Sequence, residues 1–258
     1  MQYFDNDIIA CSNLKRERDM DGEITLALIN NEGRIDLETD RPLIARRTAL
    51  IIVDMQYLDA SRDVGFGRQM ADNGQAAAVN ERFNRIENMV VPRTQELLGF
   101  FRSHGLHVIY LTLGSLTEDF SDVPHHMKRM LRELNGRVGT RESEILDELA
   151  PEPGEAIINK TTVGAFASTN LDSHLRYRGI ESVLFTGVGT SNCVASTARE
   201  AADRGYSVIL VEDACTETNA DDHERTLLQF RRLFGRTAMT AQVLLELGRS
   251  VDGISGIA

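Results

Sequence analysis

The sequence predicts a three-layer α/β/α fold with a mostly parallel central sheet. Short β-branched apolar runs alternate with longer amphipathic stretches, the signature of βαβ units. The runs are apolar throughout rather than alternating, as in strands covered on both faces. Glycines such as Gly105 and Gly205 close the amphipathic stretches just before the next run. The 258 residues suffice for a full hydrophobic core.

Residues 1–45 are polar and mixed in charge and read as an N-terminal arm, with ITLALIN as a short strand or edge element. The main domain, 46–258, opens on the buried strand 49–53, which ends in Asp54. A polar loop over 57–74 follows, then a helix over 80–104 with Pro92 as a kink. The next strand is 107–112. The polar stretch 114–150, with short amphipathic segments, reads as an insertion near the site. Strand 155–159, helix 170–178 and strand 182–188 follow. A helix over 192–204 leads to strand 207–211, which stops at Glu212-Asp213. Helix 221–234 carries acids in its first turn, which suits the helix dipole. A short helix over 240–248 completes the domain.

Net charge is −11, which disfavours nucleic acid or an anionic membrane as partner. No basic-then-apolar leader opens the chain and no apolar run approaches 18 residues. Cys11, Cys193 and Cys215 are too few and too scattered for a disulfide framework. A reducing cytoplasm is the expected location.

In open parallel sheets, ligands bind outside the carboxyl ends of the strands. Asp54, Lys160 and Cys193 each end or follow a strand, so they should converge at one edge. Cys193 lies in GVGTSNCV, between a strand and a helix that Thr190, Ser191 or Asn192 could cap. In a helix's first turn, free N–H groups and the dipole favour a thiolate and can form an oxyanion hole. The plainer reading is a buried inert thiol. Cys215, in a loop after a strand, and Cys11, in the arm, read as structural. Asp54 reads as a functional carboxylate or a loop cap. Phosphatases with an aspartyl nucleophile place a second Asp two residues on, where this chain has Gln56. Lys160 alone reads as surface; beside an acid and a thiol, its ammonium would stabilise both anions.

Together the segments ALIIVDMQ (49–56), INKTTVGAF (158–166), TGVGTSNCVASTAREAADRGY (186–206) and VILVEDAC (208–215) resemble the isochorismatase-like cysteine hydrolases, over roughly residues 46–248. The resemblance implies an isochorismatase-like, Rossmann-like fold and a catalytic triad. Cys193 would be the nucleophile, Asp54 the proton acceptor and donor, and Lys160 the group that polarises the pair. It also implies a cis peptide at Val188–Gly189, which would aim the Gly189 N–H, with that of Cys193, at an oxyanion. True isochorismatases cleave a vinyl ether and generally lack the cysteine. Its presence here favours the amidohydrolase branch, which acts on non-peptide C–N bonds of small amides and ureides through a thioester and releases ammonia. The triad spacing is similar to that in hydrolases of biuret, ureidoacrylate and N-carbamoyl compounds. A vinyl-ether hydrolase and a non-catalytic binding protein on the same fold are the alternatives.

Nicotinamidases of the family hold a metal with an Asp and two His. No Asp-x-His follows the Asp54 loop, so neither metal nor other cofactor is expected, and His125-His126 are assigned to a solvated insertion. Gln56, Tyr57, Phe66, Phe166, Thr190 and Asn192 are the expected substrate contacts. Family members are commonly dimers or tetramers. The resemblance thus implies a homo-oligomer, with the arm and the 114–150 stretch as interface material and a small molecule as substrate.

Overall fold

The computed structural model describes residues 41–255. Most of the 1–45 arm, ITLALIN and Cys11 lie outside the described residues. Of the arm's end, Leu43 and Ala45 are buried in the main core, and the Leu43 N–H donates to Glu246.

The chain runs β1 (Thr48–Val53), α1 (Tyr57–Ala60), α2 (Gly65–Asp72), α3 (Ala76–Arg85), α4 (Val91–Ser103), β2 (His107–Leu113), α5 (His125–Glu133), β3 (Ala156–Lys160), α6 (Leu171–Tyr177), β4 (Ser182–Val188), α7 (Ala195–Asp203), β5 (Ser207–Thr216), α8 (Ala220–Leu233), β6 (Arg236–Ala238) and α9 (Thr240–Ser255). Six strands form one sheet in the order β3-β2-β1-β4-β5-β6. Every pairing is parallel. The order reverses between β1 and β4, so the binding crevice of such a sheet lies beyond their carboxyl ends.

Strand periodicity sorts the core into two layers. Leu50, Ile52, Val108, Tyr110, Leu184 and Ile209 pack with Phe83, Leu97, Phe101, Val243 and Leu247 of α3, α4 and α9. Ala49, Ile51, Val53, Ile109, Leu111, Val183, Phe185 and Leu210 pack on the other face with Leu171, Leu175, Ala198, Leu227 and Phe230 of α6, α7 and α8. The central strand β1 is buried along its whole length, which explains its unbroken apolar run.

Several elements differ from the sequence expectation. The 57–74 loop holds α1 and α2. The 80–104 helix is α3 and α4 joined by a π-helical turn, Ile86–Val90. Pro92 sits in the first turn of α4, where its missing N–H costs least. Strand β5 does not stop at Glu212-Asp213: after a register shift in its pairing with β4 it continues to Thr216. Cys215 is therefore a buried strand residue rather than a loop residue. The short edge strand β6 was not expected, and α9 is longer than the 240–248 segment. The 114–150 stretch carries α5 and its own small core of Phe120, Val123, Met127, Leu131 and Leu134, closed by Leu58 and Leu113.

One glycine decides how closely β1 and β4 approach at the crevice. Gly187 pairs with Val53 and has φ +113, and a Cβ there would lie 2.0 Å from the Val53 carbonyl oxygen. Gly187→Ala must strain the backbone and push β1 from β4, so a loss of about 3 kcal/mol or more is expected in urea unfolding. A wild-type midpoint in the variant would show that the strands separate freely there.

Candidate active site

Asp54 follows β1 in the left-handed region, φ +51, a conformation Asp tolerates better than most residues. Its N–H still bonds the Leu111 carbonyl at 2.9 Å, so the backbone stays anchored to β2 while the side chain turns from the sheet. Lys160 is the last residue of β3 rather than a loop residue, and is fully buried. Its long stem brings the ammonium to both partners. Nζ lies 2.9 Å from Asp54 Oδ2 and 3.3 Å from Cys193 Sγ. Asp54 Oδ1 is buried with no hydrogen-bond partner among the described residues.

Cys193 does not open an α-helix. Residues Thr190–Val194 form a π-helical turn ahead of α7, and none of Thr190, Ser191 and Asn192 is its N-cap, which is Gly189. The wider turn tucks the sulfur against the sheet, and Cys193 is 9% exposed. Thr197 Oγ1 donates to the Cys193 carbonyl at 2.7 Å and holds the turn onto α7. The Val188–Gly189 peptide is cis.

Burial sets the electrostatics. It pushes the Cys193 thiol well above its ordinary range, the Asp54 charge adds to that, and Lys160 opposes both without overcoming them. Burial thus favours the thiol, against the thiolate that a helix start would favour. Burial also raises Asp54, with Lys160 offsetting part of the effect. For Lys160, burial acts downward, but Asp54 and Cys193 outweigh it and keep the ammonium charged. A carboxyl so raised, beside a protonated thiol, is suited to take that proton during attack.

These groups open into a cavity of about 430 Å³, a common size for small-ligand sites. Asp54, Cys193, Gly189, Gln56, Phe66 and Asn192 line it. Gln56 is not a free polar contact: Oε1 accepts from the Leu113 N–H at 2.6 Å, and Nε2 donates to the Ser143 carbonyl at 2.8 Å. It ties β1 to β2 and to the 114–150 stretch. Tyr57, Phe166 and Thr190 lie outside the lining. The Tyr57 ring sits 3.6 Å from the Arg141 guanidinium carbon, and its hydroxyl accepts from the Asp147 N–H. Phe166 packs in the second core layer under Arg204. Thr190 is fully buried and hydrogen-bonds His223 Nδ1 at 2.8 Å.

Residues the sequence reading missed complete the wall. Met127, Met130 and His126 come from α5, so His126 belongs to the cavity rather than to a solvated insertion, while His125 stays outside. Glu217 follows β5 at the carboxyl edge of the sheet. The strand-end rule would have found it had β5 been carried through Cys215. Among the described residues no group of three or more His, Cys, Asp or Glu is placed to hold a metal ion. No helix among them is long and apolar enough to cross a membrane.

Behind the 190–194 turn, His223 is buried between Thr190 and Arg85, whose Nη2 lies 3.3 Å from Nε2. Burial first, and the Arg85 charge second, push its pKa down to about 4. The unfolded imidazole titrates near 6.5. The neutral ring therefore contributes stability fully present above pH 6.5 and lost as pH falls towards 4. His223→Gln should flatten that acid limb of a urea-midpoint series by about 1–3 kcal/mol. An unchanged limb would place the acid sensitivity elsewhere.

An acid, an ammonium and a thiol lie buried together at the carboxyl edge of a parallel sheet, and the class is that of the Rossmann-like α/β proteins. The chain belongs to the isochorismatase family, its residues 48–242 matching the Isochorismatase domain. It is 33% identical over 180 residues to the ureidoacrylate amidohydrolase RutB of Variovorax paradoxus, covering 68% of this chain and 71% of that protein. A cysteine hydrolase from Pseudomonas syringae pv. phaseolicola superposes with a TM-score of 0.68 at 25% identity, over 81% of this chain and 96% of that one. N-carbamoylsarcosine amidase from Thermoplasma acidophilum superposes with a TM-score of 0.56 at 25% identity, over 75% and 96%.

Proposed function

We propose that the protein is a cysteine-dependent amidohydrolase cleaving a non-peptide C–N bond of a small amide or ureide. The observation that carries this is the Lys160 ammonium within reach of both Asp54 and Cys193, two residues that line a cavity of about 430 Å³. The relatives named for ureidoacrylate and N-carbamoylsarcosine supply the bond type.

Asp54 takes the thiol proton as sulfur attacks the carbonyl carbon, and a C–S bond forms. The N–H groups of Gly189 and Cys193 stabilise the oxyanion. Lys160 offsets the negative charge that builds on sulfur. The tetrahedral intermediate collapses, the C–N bond breaks, and Asp54 returns its proton to the leaving nitrogen. Water, deprotonated by Asp54, then attacks the acyl carbon; the C–S bond breaks and the sulfur regains a proton. A primary amide releases ammonia directly. A carbamoyl group leaves as carbamate, which decomposes to ammonia and carbon dioxide.

The test is a panel of primary amides, carbamoyl compounds and isochorismate, read by ammonia or pyruvate release, with acid-quenched protein examined by mass spectrometry. Ammonia release with an acyl or carbamoyl adduct on Cys193 is expected. Turnover of carboxamides but of no carbamoyl compound would remove the ureide class. Release of pyruvate alone would replace the reading with ether hydrolysis.

A further inference from the structure

The cavity wall carries more acid than base. Arg82 and His126 line the cavity, Lys160 lies within reach of its Asp54 and Cys193, and Arg82 and Lys160 are each held in an ion pair. Lys160 is paired with Asp54. The Arg82 guanidinium pairs with Asp59, Nη2 to Oδ2 at 2.8 Å, and its Nη1 donates to the Asp59 carbonyl. Arg82 is also buried against the rings of Phe66 and Phe83, and its Nε has no hydrogen-bond partner among the described residues. Each of these two pairs is neutral as a unit.

Glu217 is different. Oε2 accepts from the Ser191 N–H at 2.9 Å and from the Ser191 hydroxyl at 2.6 Å, and Oε1 accepts from the Thr218 N–H at 2.8 Å. All of these donors are uncharged, and no cation pairs with Glu217 among the described residues. The carboxylate stands beside Gly189: a Cβ on that glycine would lie 2.8 Å from Oε2. It therefore lines the cavity next to the turn that carries the nucleophile, with a fixed and uncompensated negative charge. The same cavity has an apolar part to its wall, built from Phe66, Met127, Met130 and Leu134.

From this wall we infer that the site takes an uncharged ureide or amide and turns away one bearing a carboxylate, with Glu217 as the discriminating residue. The inference rests on the hydrolase reading above and narrows its substrate class. Ureidoacrylate, which gives the relatives their name, carries a carboxylate, so this chain would differ from them in substrate. A second carboxylate brought into the cavity meets the Glu217 charge at short range in a partly desolvated space, where repulsion is far stronger than in water. An uncharged ureide meets no such repulsion, and its N–H groups can donate to Glu217.

The test uses two ligands of similar size, 2-hydroxyethylurea (neutral) and N-carbamoylglycine (anionic), with the full-length protein at pH 8. Calorimetric affinity and kcat/KM are both measured. The neutral ligand should be favoured by roughly tenfold or more. That ratio should shrink as ionic strength rises, and in Glu217→Gln it should move at least about fivefold towards the anion. Equal or better binding of N-carbamoylglycine by the wild-type protein overturns the inference, as does a ratio that Glu217→Gln leaves in place. If that variant fails to fold, the salt series on the wild type decides: a salt-independent ratio means the discrimination is not electrostatic. If both ligands bind but neither is hydrolysed, the ureide part of the hydrolase reading fails while the affinity ratio still decides the charge preference.

Discussion

Cys193→Ser is expected to lower kcat for amide or ureide hydrolysis by about 10⁴-fold or more while leaving the fold intact. Oxygen is nearly isosteric with sulfur, and Thr197 would still hold the turn through the residue 193 carbonyl. The serine hydroxyl is a far poorer nucleophile. It would face a single buried carboxylate as base, with the Lys160 ammonium 2.9 Å from that carboxylate restraining its basicity. Residual turnover would come from the oxyanion N–H groups and from binding alone. Thermal unfolding measured beside the rates separates chemistry from collapse. A variant that keeps a tenth of the wild-type rate would show that Cys193 does not form the covalent intermediate.

Lys160→Met is expected to cost about 3–5 kcal/mol of stability at pH 8, because it leaves Asp54 buried without its counter-charge. The pH dependence distinguishes this cause from poor packing. Burial already raises the Asp54 carboxyl, and removing the ammonium removes the main opposing influence. A carboxyl whose folded pKa lies above its unfolded value is favoured at low pH and penalised as pH rises past the unfolded value near 3.9. The variant should therefore recover towards wild-type stability as pH falls from 8 to about 4. Hydrolysis at pH 8 should be lost as well, since the ammonium that offsets the negative charge building on sulfur is gone. A uniform stability loss from pH 4 to pH 8 would mean the lysine stem, not its charge, is what the site needs.

Asp54, Lys160 and Cys193 were legible as a set because each ends or follows an apolar strand, and strand ends share an edge in a parallel sheet. The state of the sulfur was not. A helix start implies a thiolate; burial of the sulfur in a π-turn implies a thiol, and desolvation is the larger effect. The extent of β5 was also hidden. Glu212-Asp213 looks like a stop, yet Asp213 is buried and accepts from Thr240 N–H and Oγ1, so the strand runs on. That misreading is what concealed Glu217.

The expected contacts divide for a similar reason. Phe66 and Asn192 reach the cavity, while Tyr57, Phe166 and Thr190 point into neighbouring packing and Gln56 spends its amide on backbone. The cavity wall combines residues 58–69, 82, 126–134, 163 and 217–218, segments far apart in the chain. By itself the sequence determined the parallel sheet and the three groups at its edge, because apolar period and strand termini are local properties of the chain. Only the tertiary structure decided the wall of the cavity and the burial of its thiol, because side-chain direction and solvent exposure are set by what distant segments place alongside.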